Sequence, residues 1–515
     1  MADTAPVRLA EVVGALSLAT DVGMGAPMEL GLGTSLVASR LAEELGCSAD
    51  ERRRAYWVAM LRHIGCTAGA HEFAALVGDE IAFRGGLGGV DFTDQRVLLR
   101  SIVRAIGGDS AVGRMRALAR FATSASALKE GSLAVCEVAS RLADALGFEP
   151  EVRRDITEVY ERWDGKGFPS RIPAADVSVP ARVVAVAEAA EIFVRLDGVD
   201  AARTVVTERA GRGLDPEIAG CFASHADEVM SALDREDLWS DMLAAEPGPP
   251  ARLDADALER ALLAVGDFAD LKSPYTVGHS RGVAALAGAA AVAAGFDGRE
   301  QERIVLAALV HDVGRVGVTS LVWGKEGPLS RTEWEQVRLH PYTTERVLAR
   351  ADSLAAVAAI AAGHHERLDG SGYHRGVPAS AIARPGRLLA AADAFHAMTE
   401  PRPHRPALAP ETAADQLRRE ARDGRLDPDA VEAVLAAAGQ PVRRRRRHAS
   451  GLTPREVEVL RLLARGLSIK AIAERLQIAP KTADAHIQHI YAKAGVSTRA
   501  AATLFAAEHD LLETL

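Results

Sequence analysis

The chain has 515 residues, of which 48% are hydrophobic, 25% charged and only 4% aromatic. That length allows about three or four domains, and the composition is that of a globular protein rather than a disordered or disulfide-stapled one. No run reaches the ~18 apolar residues of a membrane span; the N-terminus lacks the basic start and apolar core of a secretory signal, and four cysteines without CxxC spacing read as reduced thiols. A cytoplasmic, all-α protein with no membrane partner is expected.

From the N-terminus, helical periodicity dominates: apolar residues recur at i, i+3, i+4 and i+7, and no convincing series of alternating strands appears. Two stretches interrupt it. "AAEPGPPA" (244–251) reads as a Pro/Gly linker, and "GQPVRRRRRHASG" (439–451) as a second linker with five consecutive arginines. They predict three domains, 1–245, 252–440 and 450–515.

The first two domains read as diverged copies. "ASRLAEELGCSADERRRAYWVAMLRHIG" (38–65) aligns with "LAGAAAVAAGFDGREQERIVLAALVHDVG" (286–314) at an offset of 249, and "YERWDGKGFPSRIP" (160–173) with "HERLDGSGYHRGVP" (365–378) at 205. The first copy therefore carries about 44 extra residues between the two motifs.

In the second copy, imidazoles and carboxylates crowd residues 279–393: His279, His311 and Asp312, His340, His364 and His365, then Asp393. Singly, each reads most simply as a surface or satisfied core residue, a helix cap or an ion pair. Together, at the ends of apolar helical runs, they would be costly to bury unpaired, and coordination to a shared cation removes that cost. Mixed imidazole and carboxylate donors suit Fe, Mn or Zn rather than Ca.

His-Asp at a helix end, "HP", "HHERLDGSGY" and the Asp of the next helix, in that order and spacing, resemble the HD-GYP subgroup of the HD phosphohydrolases. The resemblance covers about 252–410. It implies a helical bundle, two divalent ions (Fe or Mn), and a cyclic dinucleotide such as c-di-GMP as substrate. It implies metal ligands at His279, His311, Asp312, His340, His364, His365 and Asp393, with Asp312 bridging. Arg315 stands where the family has a phosphate-facing Lys, so Asp312 and Arg315 are the implied catalytic pair. Asp369, Gly370, Gly372 and Tyr373 are the implied substrate loop, with His374 in place of the family's proline. Tyr275 replaces the glutamate that recruits a third ion in some relatives. The alternative is a non-catalytic sensor in which the HD-GYP-like domains only bind a ligand or partner.

In the first copy the corresponding positions are Leu30, Arg62, His63, Val159, Tyr160 and Glu188. The ligands are gone while "DGKGFP" persists, which predicts a degenerate, metal-free domain.

Residues 443–515 hold thirteen Lys/Arg and seven Asp/Glu, a net +6, which leaves the rest near −15. A basic tail on an acidic body points to a polyanion. Thr453-Pro454-Arg455-Glu456 is a capping box with Pro at the first helical position. Gly466 ends that helix, Ser468 caps the next, Pro480 opens a third, and Ser497 is expected to cap a fourth. The third helix offers Lys481, Thr482, His486, His489 and Lys493 to DNA, on the helix-turn-helix plan. Residues 451–512 resemble the LuxR-type DNA-binding domain, which implies a recognition helix at 480–494, a dimerisation helix at 497–512, double-stranded DNA as partner and a homodimer. The arginine run is either a solvated spacer or a non-specific phosphate contact.

Overall fold

Helix starts and stops follow the local chemistry closely. In the computed structural model, Ser48 and Glu51 form a capping box at the start of helix Ala49–Leu61, and Asp297 and Glu300 form the same box at the start of Gly298–Val310. Prolines occupy the first turns of Val179–Asp197 and Arg384–Thr399, where the missing N–H is not needed. The structure describes residues 6–441 and 451–511, apart from 107–114, 116–117, 120, 122–124, 234–236 and 510. Among these the secondary structure is helical, with only isolated bridges and no strand. No helix of the described residues is long and apolar enough to cross a membrane.

The chain forms two units, Met1–Gln440 and Pro441–Leu515. In the first unit the helix order repeats. Leu9–Met24, Leu30–Glu44 and Ala49–Leu61 are followed, after an insertion, by Pro150–Glu158 and Val179–Asp197. Ala255–Asp270, His279–Ala293, Gly298–Val310, Ala355–Ala361 and Arg384–Thr399 keep the same order. One apolar core runs through both series, from Val13, Leu18 and Trp57 to Phe268, Val310 and Leu389.

The expected linker at 244–251 is not a free tether. Leu9 donates its N–H to the Ala251 carbonyl, Leu253 donates to Val7, and Arg8 pairs with the buried Glu246 at 2.6 Å. A second tie is deeper. The Glu80 carboxylate is fully buried and takes Lys272 Nζ at 2.7 Å, the Ser320 N–H at 2.9 Å and the Thr319 hydroxyl at 2.6 Å. The two halves therefore share buried polar bonds as well as apolar surface.

Among its described residues the second unit has four helices, Pro454–Ala464, Ile469–Leu476, Pro480–Ala494 and Arg499–Glu508, around Leu460, Leu463, Ile472, Ile487 and Ile490. The Thr453/Glu456 capping box and the Ser468 cap form as expected. The cap of the last helix does not: Thr498, not Ser497, accepts the Ala501 N–H. The arginines at 443–447 lie outside the described residues.

Candidate metal centre

Helix Gly298–Val310 buries Ile304, Leu306, Ala307, Leu309 and Val310 and stops at His311, followed by a tight 3-10 turn, Val313–Gly317. Gly314 permits the turn to sit on the next segment: a Cβ there would lie 2.0 Å from the His340 carbonyl oxygen. His279 opens its own helix, His340 opens His340–Leu348, His364 and His365 follow Ala355–Ala361, and Asp393 lies inside Arg384–Thr399. Five chain segments thus deliver their side chains to one point.

Asp312 is at the middle, with no exposed surface. Its Oδ2 faces His311 Nε2 at 3.0 Å and His279 Nε2 at 3.6 Å; its Oδ1 faces His340 Nε2 at 3.3 Å and His364 Nε2 at 3.5 Å. Asp393 closes the first side, with Oδ1 3.2 Å from His279 and 3.7 Å from His311, and its Oδ2 lies 3.9 Å from His365 Nδ1. Among the described residues three sets of donors converge within 4.8 Å: His279, His311 and Asp312; His340, His364 and His365; and His279, His396 and Glu400. All seven ligand candidates meet.

Hydrogen bonding leaves the centre unsaturated. His311 Nε2 and both Asp312 oxygens are buried without a hydrogen-bond partner of proper geometry, which would cost about 1–3 kcal/mol each. Such atoms, converging from nitrogen and carboxylate donors, fit a cation better than any protein group. The electrostatics agree. Burial opposes charging His311, but Asp312 and Asp393 outweigh it and push its pKa up to about 10. Burial also opposes the Asp312 charge, and Arg315 and His311 outweigh it, holding that carboxylate well below its usual range. His340 is driven down to about 4 by burial, against the pull of Asp312. In the metal-free fold His311 is thus held as a cation and His340 as a neutral imidazole; a transition metal takes imidazole in its neutral form, so binding there must displace the His311 proton.

Arg315 is only 9% exposed, lies 2.8 Å from Asp312 Oδ2 and stacks over the Trp323 ring. It neutralises the central carboxylate rather than pointing at open space. In the expected substrate loop the roles separate. Asp369 accepts from the N–H and hydroxyl of Ser371, and Gly370 has φ +78°. A Cβ on Gly372 would lie 2.6 Å from Glu366 Cα. These three shape the loop. Tyr373 alone reaches the centre, with its ring 4.6 Å from that of His365. The peptide between Tyr373 and His374 is cis, as is Phe168–Pro169.

Three participants escaped the sequence reading. Glu366, buried within "HHE", staples the loop by accepting from the N–H groups of Arg375 and Val377. Glu400 and Arg402 lie beyond the last motif, and Glu400 accepts from His279 Nδ1 at 2.8 Å. Only the charge of Glu400 and Arg402, a turn or two past Asp393, hinted at them.

The equivalent place in the first half is filled differently. Arg62, 2% exposed, binds Glu188 at 2.9 Å and the Ala59 carbonyl, and His63 contacts Glu188 and the Tyr160 hydroxyl. At the position of His311, Arg62 thus brings a buried guanidinium that pairs with Glu188. Glu161 staples its loop through Ser170, Arg171 and Ile172, as Glu366 does. Gly65 meets the Val135 carbonyl as Gly314 meets His340, which identifies Val135 as the counterpart of His340 and places the 44-residue insertion between Gly65 and Val135.

In the C-terminal unit, Lys481, Thr482 and His489 of helix Pro480–Ala494 are exposed and His486 is half-buried. Lys493 is turned onto Glu456, with its ammonium 2.7 Å from both carboxylate oxygens, so it does not stand free with the others.

Comparison with known proteins agrees with these two units. Residues 264–430 match the HD domain family, and residues 450–506 match the luxR family of bacterial regulatory proteins. The chain is 27% identical over 443 residues to 3'3'-cGAMP-specific phosphodiesterase 3 of Vibrio cholerae, covering 83% of this chain and 94% of that one. It is 34% identical over 183 residues to a cyclic di-GMP phosphodiesterase of Thermotoga maritima, covering 35% and 49% respectively. The crystal structure of a cyclic GMP-AMP-specific phosphodiesterase of V. cholerae superposes with a TM-score of 0.58 at 22% identity, over 84% of this chain and 98% of that one; this shows a shared fold. The chain carries an HD domain with homology to HD-GYP phosphodiesterases and a C-terminal LuxR-type domain.

Proposed function

We propose that this protein is a cytoplasmic regulator in which a metal-dependent phosphodiesterase acting on a cyclic dinucleotide is joined to a DNA-binding domain. The observation that carries the reading is Asp312, which turns one oxygen to each of two imidazole sets. His279, His311 and Asp393 would hold one divalent ion, His340, His364 and His365 the other, with Asp312 shared and Fe or Mn the favoured metals. Such ions supply Lewis-acid charge for hydrolysis of a phosphodiester. The chain's own part is to present the donors unsaturated, to exclude water with Val310, Val313 and Val316, which are fully buried, and to seat the substrate against Tyr373. Arg315, held on Asp312 at 2.8 Å, would give its positive charge to a phosphate only by leaving that carboxylate. The dinucleotide class is supported by the names of the relatives in V. cholerae and T. maritima.

Residues 1–245 serve as a metal-free copy of the domain at 252–440, with Arg62 as internal cation. In residues 450–515, Lys481, Thr482, His486 and His489 face double-stranded DNA, and helix Arg499–Glu508 is the surface for a homodimer. A second reading has a specific observation behind it. The Arg315 guanidinium already sits on Asp312, where its charge opposes a cation, and this favours a centre that binds a ligand without turnover.

The test uses the full chain. Bound Fe, Mn and Zn are quantified, and hydrolysis of c-di-GMP and of 3'3'-cGAMP is followed beside Asp312→Ala. About two ions per chain, with turnover lost in the variant, supports the enzyme. Metal without turnover favours the sensor, and no metal refutes the enzyme. Binding of a duplex that fails to weaken with salt would refute the DNA assignment.

A further inference from the structure

We infer that Glu400 is a positioning residue of the metal centre, fixing the His279 ring so that Nε2 faces Asp312 and Asp393; the inference rests on the metal-centre reading above. The need for it follows from where each imidazole stands in the chain. His311, His340 and His364 each send Nδ1 to a carbonyl three residues earlier, those of Ala308, Val337 and Ala361, at 2.7, 2.6 and 2.7 Å. That bond places the proton on Nδ1 and leaves the Nε2 lone pair toward the centre. His279 makes no such carbonyl bond through Nδ1. It is the first residue of its helix, and the carbonyl three residues back, that of Thr276, accepts the His279 backbone N–H at 2.9 Å. Its Nδ1 meets Glu400 Oε2 at 2.8 Å instead.

Glu400 is itself held for the task. Arg402 donates to it at 2.9 Å and reaches the Tyr275 carbonyl, just before His279, at 2.7 Å. His396 Nδ1 lies 3.5 Å from the same carboxylate. The His396 ring lies against Gly282, where a Cβ would fall 1.9 Å from its Nε2.

The other half of the chain is an internal control. At the offsets found above, His279 corresponds to Leu30 and Glu400 to Arg195. Gly33 meets Glu191 there as Gly282 meets His396, so the register is secure. Arg195 serves no imidazole; it pairs with Glu191 at 2.8 Å and with the Glu29 carbonyl. The half that lacks the imidazole lacks the carboxylate too. A carboxylate behind a ligating imidazole fixes its tautomer and raises its basicity, and removing such a partner typically weakens metal binding by about 10–100-fold.

The experiment measures Mn²⁺ binding to the full chain by chelator competition, for wild type, Glu400→Ala and Glu400→Gln, with far-UV circular dichroism melts in chelator alongside. Glu400→Ala is expected to weaken one of the two sites by about 10–100-fold and leave the other unchanged. Glu400→Gln should lose less, because its amide oxygen still accepts from Nδ1. In chelator Glu400→Ala should melt below wild type, because it strips a partner from the covered Arg402, whereas Glu400→Gln, which keeps an acceptor, should melt close to wild type. Equal Mn²⁺ affinities in wild type and Glu400→Ala overturn the positioning role while leaving the centre intact. A Glu400→Gln chelator melt that falls in step with its affinity overturns it too, as a merely structural effect. A wild type that takes up no Mn²⁺ overturns the centre and this role together.

Discussion

Replacing Asp312 by asparagine keeps the shape of the side chain and removes one charge from the middle of the centre. Arg315 Nε at 2.8 Å and His311 Nε2 at 3.0 Å lose their counter-charge, and both groups are buried. Leaving one member of a buried pair uncompensated costs about 3–5 kcal/mol, so the metal-free variant should melt below the metal-free wild type. The metal response is the sharper reading. At free Mn²⁺ of about 100 times Kd, binding stabilises the folded chain by about 2.7 kcal/mol. In a unit of this size 1 kcal/mol moves Tm by about 1 °C, so wild type should gain about 3 °C per bound ion. Asparagine has one neutral oxygen to give, and it can face only one of the two imidazole sets. The Mn²⁺ shift of Asp312→Asn should fall below about 1 °C, and phosphodiester turnover should fall to background. Thermal melts of the full chain in chelator and in Mn²⁺, with hydrolysis of c-di-GMP measured on the same samples, decide it. A variant that keeps the wild-type Mn²⁺ shift or its turnover refutes the central role of Asp312.

Three further outcomes are expected. His311 titrates at about 10 in the metal-free fold, above its ordinary 6.5; its contribution to stability is present below pH 6.5 and is lost as pH rises through 10. Metal must displace that proton, so Mn²⁺ affinity should rise with pH up to about 10, and binding heats at pH 8 should vary with the ionisation enthalpy of the buffer; buffer-independent heats would contradict it. Gly372→Ala forces a Cβ against Glu366 Cα, costing about 1–3 kcal/mol, and should lower turnover while Mn²⁺ stoichiometry stays at the wild-type value, as metal analysis would show. Glu80→Gln strips the counter-charge from the buried Lys272 and should destabilise the first unit by about 3–5 kcal/mol in urea titrations; adding Lys272→Met should recover part of the loss, and no recovery would count against the pair.

The helical class was legible because capping boxes, N1 prolines and apolar spacing are local signals. Thr453/Glu456 and Ser468 behave as read, and where two hydroxyls stood adjacent at Ser497 and Thr498, spacing could not choose between them. The seven candidate ligands were legible because imidazole and carboxylate at the ends of apolar helices are costly without a shared purpose, and the other half of the same chain shows what their loss looks like. Glu366, Glu400 and Arg402 were not legible. Each acts through a hydrogen bond whose partner is fixed by how two helices pack, and nothing in their spacing distinguishes them from solvated charges. Lys493 fails for the same reason in reverse: its position on the helix suits DNA, but Glu456 of another helix takes it.

By itself, then, the sequence determined which segments are helices, where they begin, and which residues are chemically able to hold a cation. These depend on bonds within a few residues along the chain. Only the tertiary structure decided that Asp312 divides its oxygens between two imidazole sets, that Arg62 pairs with Glu188 in the other half, and that Arg315 rests on Asp312. It also decided that 244–251 is stitched to the N-terminal segment around Arg8 and Leu9 instead of hanging free. The reason is distance: these pairings join residues as far apart in the chain as Val7 and Leu253, and they arise only when packed helices bring groups within a few ångströms, a selection that no local pattern encodes.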